Sequence, residues 1–459
     1  MSQQPRRLWD KGTPVDEAVD RFTVGDDPQW DQYLVHWDCL GSAAHAHTLA
    51  TAGVLTADEL ARLLAGLAEI DAQHRAGQFA IPPELEDGHT AIETHLAQRC
   101  GEAGTKIHAG RSRNDQVATA LRLFMRHHAL RWLELLGEFV GATLARIETD
   151  GDVPMPGYTH MQPAMPSSVG LWLHATVEAA LEQMHATVDL LRRLDACPLG
   201  TGAGLGVPLP LDRALTARLL GFSRVQRSPL DVQNARGRME TYFVRVAADM
   251  GAVLAKLAND LWLFSTAEFD FCRLPDALTT GSSIMPQKRN ADVLELLRAH
   301  AARLPARLVE LALVAGKLPS GYQRDLQLTK EPTIRAALEI EEMLRVGTHV
   351  VRDFALNREK LAAAMRPELY ATHAALALTQ SGVPFREAYR RVAEELRAGR
   401  FQPAELAAWR ESDGCLPAGV LGEVRTEWLS LKSRAEELRK RIERAEAALL
   451  ASDGGDPGA

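Results

Sequence analysis

The spacing of the prolines is the feature that most limits how this chain can fold. Proline inside a helix costs about 3 kcal/mol, so long stretches without it permit long helices. Four such stretches divide the middle of the chain: Glu84 to Val153, Ser167 to Cys197, Leu230 to Leu274, and Thr333 to Arg366. The third would span about 65 Å if it were wholly helical, at about 1.5 Å per residue. That exceeds what a compact single-chain domain needs, so the sequence predicts an all-α protein built on long helices.

One segment indicates how these helices pack. Residues Met250 to Phe264, MGAVLAKLANDLWLF, carry apolar side chains on most faces of the predicted helix. A helix of this kind is buried against several neighbours. We therefore predict a central long-helix bundle that is extended by helices of other subunits in a homotetramer.

The chain divides into three parts along its length. We predict an N-terminal helical domain at residues 1–112, a central long-helix domain at 113–362, and a C-terminal domain of short helices at 363–459. The last residues, ASDGGDPGA, have the composition of a disordered tail. Strand signals are weak throughout.

Composition and charge exclude several classes of function. The 459 residues carry a formal net charge of −8, which argues against a nucleic-acid partner but permits a local basic pocket. The segment MSQQPRRLWDKG lacks the apolar core of a secretory signal, and no apolar run is long enough to cross a bilayer. The five scattered cysteines form no CxxC pair, which is typical of a reduced cytoplasmic protein.

Motifs for common cofactors are also missing from the sequence. The glycines of LGTGAGLG, residues 199–206, do not match the dinucleotide-binding pattern and follow a helical segment rather than a strand. The sequence contains no complete Walker A loop, no HExxH pair and no nucleophile elbow. It therefore predicts no dinucleotide, P-loop or zinc-protease site.

Four polar stretches lie between the long helical blocks. Each lies beside a predicted helix end, where side chains and backbone N–H groups are available to ligands. They are AGRSRNDQ (109–116), PGYTHMQP (156–163), GSSIMPQKRN (281–290) and SGYQRDLQLTK (320–330). Taken singly, their residues suit ordinary roles, such as a surface arginine, a loop histidine or a Glu295–Arg298 pair on a helix. Taken together, they predict one shared pocket.

The third stretch resembles a known signature. Residues 282–290 match the long and specific S-S-x-M-P-x-K-x-N motif of the fumarase/aspartase superfamily. Within it the chain is similar to the argininosuccinate lyases, because all four stretches resemble that family's motifs in order and spacing. WDCLGSAAHAHTLATAGVLT and LEDGHTAIE add to the resemblance, which covers residues 8 to about 400.

The resemblance implies a fold, an assembly and a reaction. The implied fold is an all-α lyase subunit, and the assembly is a homotetramer in which each active site draws on three chains. The implied reaction eliminates fumarate from N-(L-arginino)succinate and releases arginine, a step of arginine biosynthesis. The family uses no metal or organic cofactor, so its partners are the small-molecule substrate and further copies of the chain.

The chemistry of that reaction suits the residues of the motifs. A C–H next to a carboxylate loses its proton, and the charge that spreads onto the carboxylate needs fixed cations and N–H donors. By resemblance Ser282 removes the proton, while Lys288 and Asn290 stabilise the charge. His160 is the candidate that protonates the leaving nitrogen, with Glu295 holding it. Which of Ser282 and His160 accepts a proton and which donates one stays open.

Further positions correspond to substrate contacts of the family. Four residues are implied to bind the succinate carboxylates: Ser42, Asn114, Thr159 and Asn290. Three are implied to bind the rest of the substrate: Tyr322, Gln327 and Lys330. Arg113 is a further candidate for binding a carboxylate, because a guanidinium matches the geometry of that group.

The chain departs from the family pattern where the arginine part of the substrate would be recognised. Leu328 and Thr329 stand in place of acidic residues, and the segment LDVQNARG around Asn234 lacks a Ser-acid-Arg-Asp pattern. The remaining candidate partners for a guanidinium are Asp87, Asp325, Glu331 and a backbone carbonyl. Three functions therefore stay open: an argininosuccinate lyase, a superfamily lyase acting on another N-substituted aspartate, and a non-catalytic relative such as a lens crystallin.

Overall fold

Helices make up most of the computed structural model, which describes residues 15–403, 416–417 and 419–449. The all-α prediction is confirmed for this part of the chain. In chain order the α-helices are α1 (Glu17–Val24), α2 (Asp27–Asp31), α3 (Val35–Thr51), α4 (Ala57–Arg75), α5 (Gly88–Cys100), α6 (Glu102–Lys106), α7 (Arg113–Asp150), α8 (Val169–Leu194), α9 (Arg213–Leu219), α10 (Pro229–Asn234), α11 (Arg238–Phe264), α12 (Asp292–Ala315), α13 (Lys330–Asp353), α14 (Arg358–Ala364), α15 (Ala371–Gln380), α16 (Phe385–Arg397) and α17 (Val420–Leu449).

The long helices pack side by side as a central bundle. α7 lies against α8 and α13, and α11 lies against α8, α12 and α13. Trp132 of α7 stacks on Phe243 of α11 with ring centroids 4.2 Å apart, and both side chains are fully buried. α7 begins with a capping box, in which Ser112 and the side chain of Asp115 satisfy each other's backbone N–H groups. The predicted long-helix bundle is therefore present.

Glycine breaks one of the Pro-free stretches. The segment Leu230 to Leu274 is not one helix, because Gly237 separates α10 from α11 with a φ of 79°. A Cβ at this position would lie 2.3 Å from the Cβ of Ala315, so only glycine fits both the backbone angle and the space. The longest helix is instead α7, with 38 residues.

The strands are short and form two-stranded antiparallel pairs within the described residues. They are β1 (Pro154–Thr159) with β2 (Gln162–Ser168), β3 (Cys272–Arg273) with β6 (Ala355–Leu356), and β4 (Thr280–Gly281) with β5 (Arg289–Asn290). The sequence did not predict the β1–β2 hairpin, because its prolines and glycine are residues that strands usually avoid. The motif PGYTHMQP therefore lies on a hairpin rather than at a bare helix end.

The prediction that the C-terminal part holds only short helices is wrong. α17 has 30 residues and packs on α7, α8 and α9. Trp428 anchors it, since the indole N–H donates to the carbonyl oxygen of Gly137 in α7 at 3.0 Å. The predicted disordered tail and most of the SDGCLPAG break lie outside the described residues. The division into three domains stays a prediction.

No helix in the described ranges is long and apolar enough to cross a membrane.

The described cysteines are buried and form no disulfide: Cys39, Cys100, Cys197 and Cys272. Cys415 lies outside the described residues. Burial raises the pKa of Cys197 to about 11 and that of Cys272 to about 12. These two thiols stay protonated at neutral pH and are poor nucleophiles.

Candidate active site

The length of α7 separates two groups of predicted site residues. With 38 residues it spans about 57 Å at about 1.5 Å per residue. Asn114 lies in its first turn, whereas the β1–β2 hairpin that carries Thr159 and His160 follows its last turn. Within one chain, these two motifs therefore lie at opposite ends of the bundle.

The loop that carries Ser282 lies at the hairpin end of the bundle. It connects the end of α11 to the start of α12, and the indole N–H of Trp262 near the end of α11 donates to Glu295 of α12 at 3.2 Å. The rings of Tyr158 in β1 and Phe264 in α11 lie 6.3 Å apart, which places the hairpin beside the same helix end. One chain thus carries Ser282, Glu295 and His160 at one end, and Asn114 at the other.

A cavity of about 550 Å³ marks the Asn114 end. Five predicted residues line it: Arg113, Asn114, Tyr322, Gln327 and Lys330. None of the six predicted residues of the hairpin end, all of them within the described ranges, lines this cavity: Thr159, His160, Ser282, Lys288, Asn290 and Glu295. The structure therefore brings two of the four motifs together in one chain and leaves the other two apart from them.

Lys330 is the most deeply buried of the predicted residues that line the cavity. It is 3% exposed, and its ammonium lies 2.6 Å from Asp31 and 3.0 Å from Asp27. Burial alone favours the neutral amine, but the two carboxylates raise the pKa of Lys330 above its ordinary value. Burial raises the pKa of Asp27 to about 6, with Lys330 opposing that shift and Asp31 adding to it. Lys330 is thus a fixed cation at the wall of the cavity.

Arg113 is already engaged by carboxylates of its own chain. One guanidinium nitrogen lies 2.7 Å from Asp87 and 3.5 Å from Glu86. Asp87 in turn caps α5 by accepting the backbone N–H of Thr90 at 2.8 Å. The role suggested for Arg113, binding of a substrate carboxylate, therefore has to compete with two internal partners. Its position fits better with holding Asp87 in the cavity wall.

The side chains of Gln327 and Arg324 bind the backbone at the end of α1, beside this cavity wall. The amide of Gln327 donates to the carbonyl oxygens of Thr23 and Val24, both at 3.1 Å. Arg324 donates to the carbonyl oxygen of Thr23 at 2.8 Å and to Glu86 at 2.6 Å. Both side chains line the cavity, so Arg324 is a lining residue that the sequence reading missed. Its partners lie about 300 residues away in sequence, and no local pattern indicates such a pairing.

The position of Ser42 does not support a direct contact with substrate. Ser42 is fully buried in α3 and does not line the cavity. Its hydroxyl oxygen accepts a hydrogen bond from the buried guanidinium of Arg111 at 2.8 Å. Ser42 therefore holds the guanidinium of Arg111 within this chain, and its contact with substrate stays a prediction.

Histidine adds positive charge to the same cavity. His89 lines it and is buried, with its Nδ1 2.5 Å from the carboxylate of Asp38. Burial alone would lower the pKa of His89, but Asp38 raises it above its ordinary value. The LEDGHTAIE segment thus supplies a cation as well as Asp87. The sequence reading used this segment only as part of the family resemblance.

The segment around Asn234, where the chain departs from the family pattern, contacts the segment 320–330. The amide of Asn234 accepts from the backbone N–H of Gly321 at 2.8 Å and donates to Ser320 at 3.2 Å. Arg236, which lines the cavity, donates to the carbonyl oxygen of Leu326 at 3.1 Å and is held by Glu240 at 3.1 Å. These contacts anchor the segment that carries Tyr322, Gln327 and Lys330. The unusual residues are therefore part of the support for the site.

The partners suggested for a guanidinium separate into two groups. Asp87 lines the cavity, together with Asp27. Glu331 instead pairs with Arg335 at 2.7 Å, and Asp325 lies 3.6 Å from Lys317. The cavity thus contains carboxylates although Leu328 and Thr329 are not acidic.

The hairpin presents His160 at its tip. Thr159 pairs with Gln162, so His160 and Met161 form the two-residue turn, with φ values of 51° and 59°. Such angles favour Asn or Gly; His adopts them more readily than most other residues, whereas Met does so rarely. His160 and Met161 are both exposed. Strained residues of this kind are concentrated at functional sites.

The loop from Ser282 to Asn290 is closed at its base and open at its tip. β4 and β5 pair Thr280 with Asn290 and Gly281 with Arg289, which joins the two ends of the loop. The hydroxyl of Ser282 accepts from the backbone N–H groups of Ile284 and Met285 at 3.3 and 3.1 Å. Lys288 is exposed, and Ile284 is 82% exposed. The loop therefore presents its polar and apolar groups outward from a single chain.

Glu295 and His160 are not joined within one chain. Glu295 is exposed on the first turn of α12, and its described hydrogen bond is with Trp262. No described contact links it to His160. The pairing of Glu295 with His160 stays a prediction, and it requires a partner that one chain does not supply.

Asp115 positions the start of α7 and was missed by the sequence reading as a site residue. It is fully buried. One carboxylate oxygen accepts from the backbone N–H groups of Gly200, Thr201 and Gly202 at 3.1, 2.9 and 2.8 Å. The other accepts from Ser112 at 2.9 Å. The glycine loop 199–206 therefore holds the first turn of α7 in place, which gives its glycine pattern a structural role.

We expect Asp115→Asn to lower the free energy of unfolding by about 2–3 kcal/mol, because an amide NH₂ would face backbone N–H donors. Urea unfolding followed by circular dichroism measures the change. Asp212→Asn is the matched control, since exposed Asp212 caps α9 and Asn is an equally good N-cap. Equal losses in the two variants would contradict this role for Asp115.

Solved structures define the class of fold. A lyase family model matches residues 13–305. An EDDS lyase in complex with formate is 23% identical, has a TM-score of 0.80 and covers 96% of both chains. A class II fumarase from Schistosoma mansoni is 18% identical, has a TM-score of 0.71 and covers 94% of this chain and 96% of its own. At these identities the likeness shows the fold alone, which is that of the fumarase/aspartase-type lyases.

Relatives of higher identity narrow the class. Argininosuccinate lyase of Sorangium cellulosum is 46% identical over 392 residues, which cover 85% of this chain and 91% of that protein. Argininosuccinate lyase of Stenotrophomonas maltophilia is 42% identical over 428 residues, which cover 92% of this chain and 99% of that protein. The chain therefore belongs to the argininosuccinate lyase family and is a carbon–nitrogen lyase, as the motifs predicted.

Proposed function

We propose that this lyase eliminates fumarate from N-(L-arginino)succinate and releases L-arginine. The supporting observation is the cavity at the start of α7. There Asn114 meets Tyr322, Gln327 and Lys330, which come from a motif far away in the sequence. The same cavity holds carboxylates and fixed cations side by side. A substrate with three carboxylates and one guanidinium needs groups of both signs.

The carboxylates Asp27 and Asp87 suit the guanidinium of the arginine part. Each already pairs with one cation, Lys330 or Arg113 respectively. A carboxylate has about four lone-pair sites, so each can accept a further N–H donor. These residues take the place of the acidic groups missing at positions 328 and 329. We assign the recognition of arginine to this wall.

The proton transfers require the groups at the hairpin end of the bundle. Ser282 removes the proton next to a succinate carboxylate, and Lys288 and Asn290 stabilise the charge that develops there. His160 protonates the leaving guanidinium nitrogen, oriented by Glu295. Thr159 holds a second carboxylate oxygen. These roles rest on the motif chemistry and on the exposure of the loop and the hairpin tip, where a ligand has access.

Assembly unites the two ends of the bundle. α12 carries an exposed stripe at a spacing of three or four residues: Glu295, Ala299, Ala302, Ala306, Val309 and Leu313. Val309 is 59% exposed and Leu313 is 69% exposed, so a helix of another subunit suits this face. In a two-fold pair of antiparallel bundles, the Ser282 end of one chain lies beside the Asn114 end of another. We therefore propose a homotetramer acting in the cytoplasm.

Fumarate release tests the proposed substrate. The protein is purified in EDTA, and fumarate absorbance is followed with argininosuccinate, adenylosuccinate, aspartate and malate in parallel. We expect turnover of argininosuccinate alone, and in reverse the use of arginine rather than ornithine, citrulline or AMP. Turnover of another N-substituted aspartate with argininosuccinate inert would contradict the substrate, while turnover of none would favour the non-catalytic alternative.

Mixed variants test whether one site draws on more than one chain. Ser282→Ala and Asn114→Ala chains, each expected to be inactive, are co-expressed with different tags, and the mixed tetramers are purified. We expect these to recover part of the wild-type activity, because some sites combine an intact Ser282 with an intact Asn114. Light scattering on the same sample gives the mass. Inactive mixed tetramers, or active monomers, would contradict the shared site.

A further inference from the structure

A second cavity lies where α7, α8 and α17 meet. Its volume is about 150 Å³, which leaves room for a small ion and a few waters at about 30 Å³ per water. None of the residues predicted for catalysis or substrate binding lines it. Four of its lining residues are arginines: Arg126, Arg192, Arg434 and Arg441.

Arg126 is buried with part of its hydrogen-bonding capacity unused. It is 1% exposed, and one guanidinium nitrogen donates to the carbonyl oxygen of Leu220 at 2.8 Å and to Glu446 at 3.1 Å. Its Nε and Nη1 atoms have no partner among the described residues. Burial lowers the pKa of Arg126, in spite of the nearby Glu446. A buried N–H group without an acceptor is costly and indicates a missing ligand or water.

The other charges around the cavity leave it positive. The one acidic lining residue, Asp195, is already satisfied by Arg441 at 3.1 Å and by the backbone N–H of Ser223 at 2.9 Å. Arg192 approaches a carboxylate only at 3.7 Å, and within the described ranges no ion pair involves Arg434. Two arginines without a close acidic partner thus lie near the unsatisfied guanidinium of Arg126.

We propose that this cavity binds a small oxyanion of the phosphate class. A guanidinium presents parallel N–H donors that match phosphate oxygens, and three of them surround the space. Arg126 would hold the ion at the buried side, with Arg192 and Arg434 at the more exposed side. Because the lining comes from α7, α8 and α17, the bound ion would also hold α17 against the bundle.

Thermal unfolding with inorganic phosphate tests the site, with sodium chloride at matched ionic strength as the reference. We expect a saturable rise in the unfolding midpoint with phosphate alone. Arg434→Ala and Arg192→Ala should each weaken phosphate binding about tenfold, since each removes a charged hydrogen bond. Both residues are largely exposed, so neither change should prevent folding. Isothermal titration gives the dissociation constants directly.

Arg444→Ala is the matched control, because Arg444 is exposed on α17 and does not line the cavity. It should bind phosphate as the wild type does. AMP in place of phosphate distinguishes a nucleotide phosphate from the free ion: tighter binding of AMP with the same dependence on Arg434 favours the nucleotide. The proposal is overturned if phosphate raises the unfolding midpoint no more than chloride does. It is also overturned if the Arg434 and Arg444 variants bind phosphate equally, or if Asn114→Ala loses phosphate binding.

Discussion

Replacing Ser282 with alanine is expected to lower kcat by about 10³-fold or more, with substrate binding retained. A positioned group that transfers a proton contributes about 10²–10⁴-fold, and the carbon acid in question is weak. The groups that line the Asn114 cavity lie at the opposite end of the bundle within one chain and remain intact. Fumarate release under saturating substrate measures kcat, and isothermal titration of the inactive variant measures binding.

Ser283→Ala provides the comparison for this result. Ser283 is the exposed neighbour in the same loop, so its replacement changes the loop equally without removing the proposed base. It should keep most of the wild-type rate. If Ser282→Ala retains more than about a tenth of the wild-type kcat, the remaining catalysis is too large for the loss of a general base, and Ser282 has another role.

Replacing Lys330 with methionine is expected to lower the free energy of unfolding by about 3–5 kcal/mol, because it leaves buried carboxylates without their cation. Lys330 lies within 3.0 Å of both Asp27 and Asp31, and all three side chains are largely buried. The variant should also lose activity, since Lys330 and Asp27 line the proposed substrate cavity. Urea unfolding measures the first effect separately from the second.

The pH dependence of this loss distinguishes electrostatics from packing. The pKa of Asp27 is about 6 with Lys330 present, and removing the cation raises it further. The native variant then binds more protons than the unfolded chain above pH 4, so its stability falls as pH rises. The loss of unfolding free energy caused by Lys330→Met should be clearly smaller at pH 5 than at pH 8. Lys317→Met, which removes an exposed lysine 3.6 Å from Asp325, should change stability by less than about 1 kcal/mol at either pH.

Local signals predicted much of this fold. The capping box at Thr56 and Glu59 and the positive φ of Gly77 are local features that fix the two ends of α4. The absence of proline correctly indicated that α7 and α8 are long. The same signal failed at Gly237, because a tertiary contact with Ala315 decides that break. The expectation that proline ends a helix also fails at Pro305, which lies inside α12 without ending it.

The motifs pointed to five of the residues that line the Asn114 cavity, because each motif has its own local chemistry. They did not give the geometry of the cavity or its other lining residues. Which side chains support others depends on contacts across the whole chain, as with Arg111 on Ser42 and Arg324 on Thr23. The separation of Asn114 from His160 follows only once α7 is known to be one unbroken helix.

Because α7 is one unbroken helix, its length sets the distance between the two groups of site residues in the proposed assembly. Inserting one residue near its middle would turn one end by about 100° relative to the other and lengthen it by about 1.5 Å. Asn114 and the hairpin serve different sites in the proposed tetramer, so a single insertion would disturb the alignment of every site at once. Exposed residues in the middle of α7, such as Glu138, would then tolerate substitution, whereas insertion or deletion of a residue there would not be tolerated. The distance between the two groups of site residues would therefore depend on the number of residues in α7.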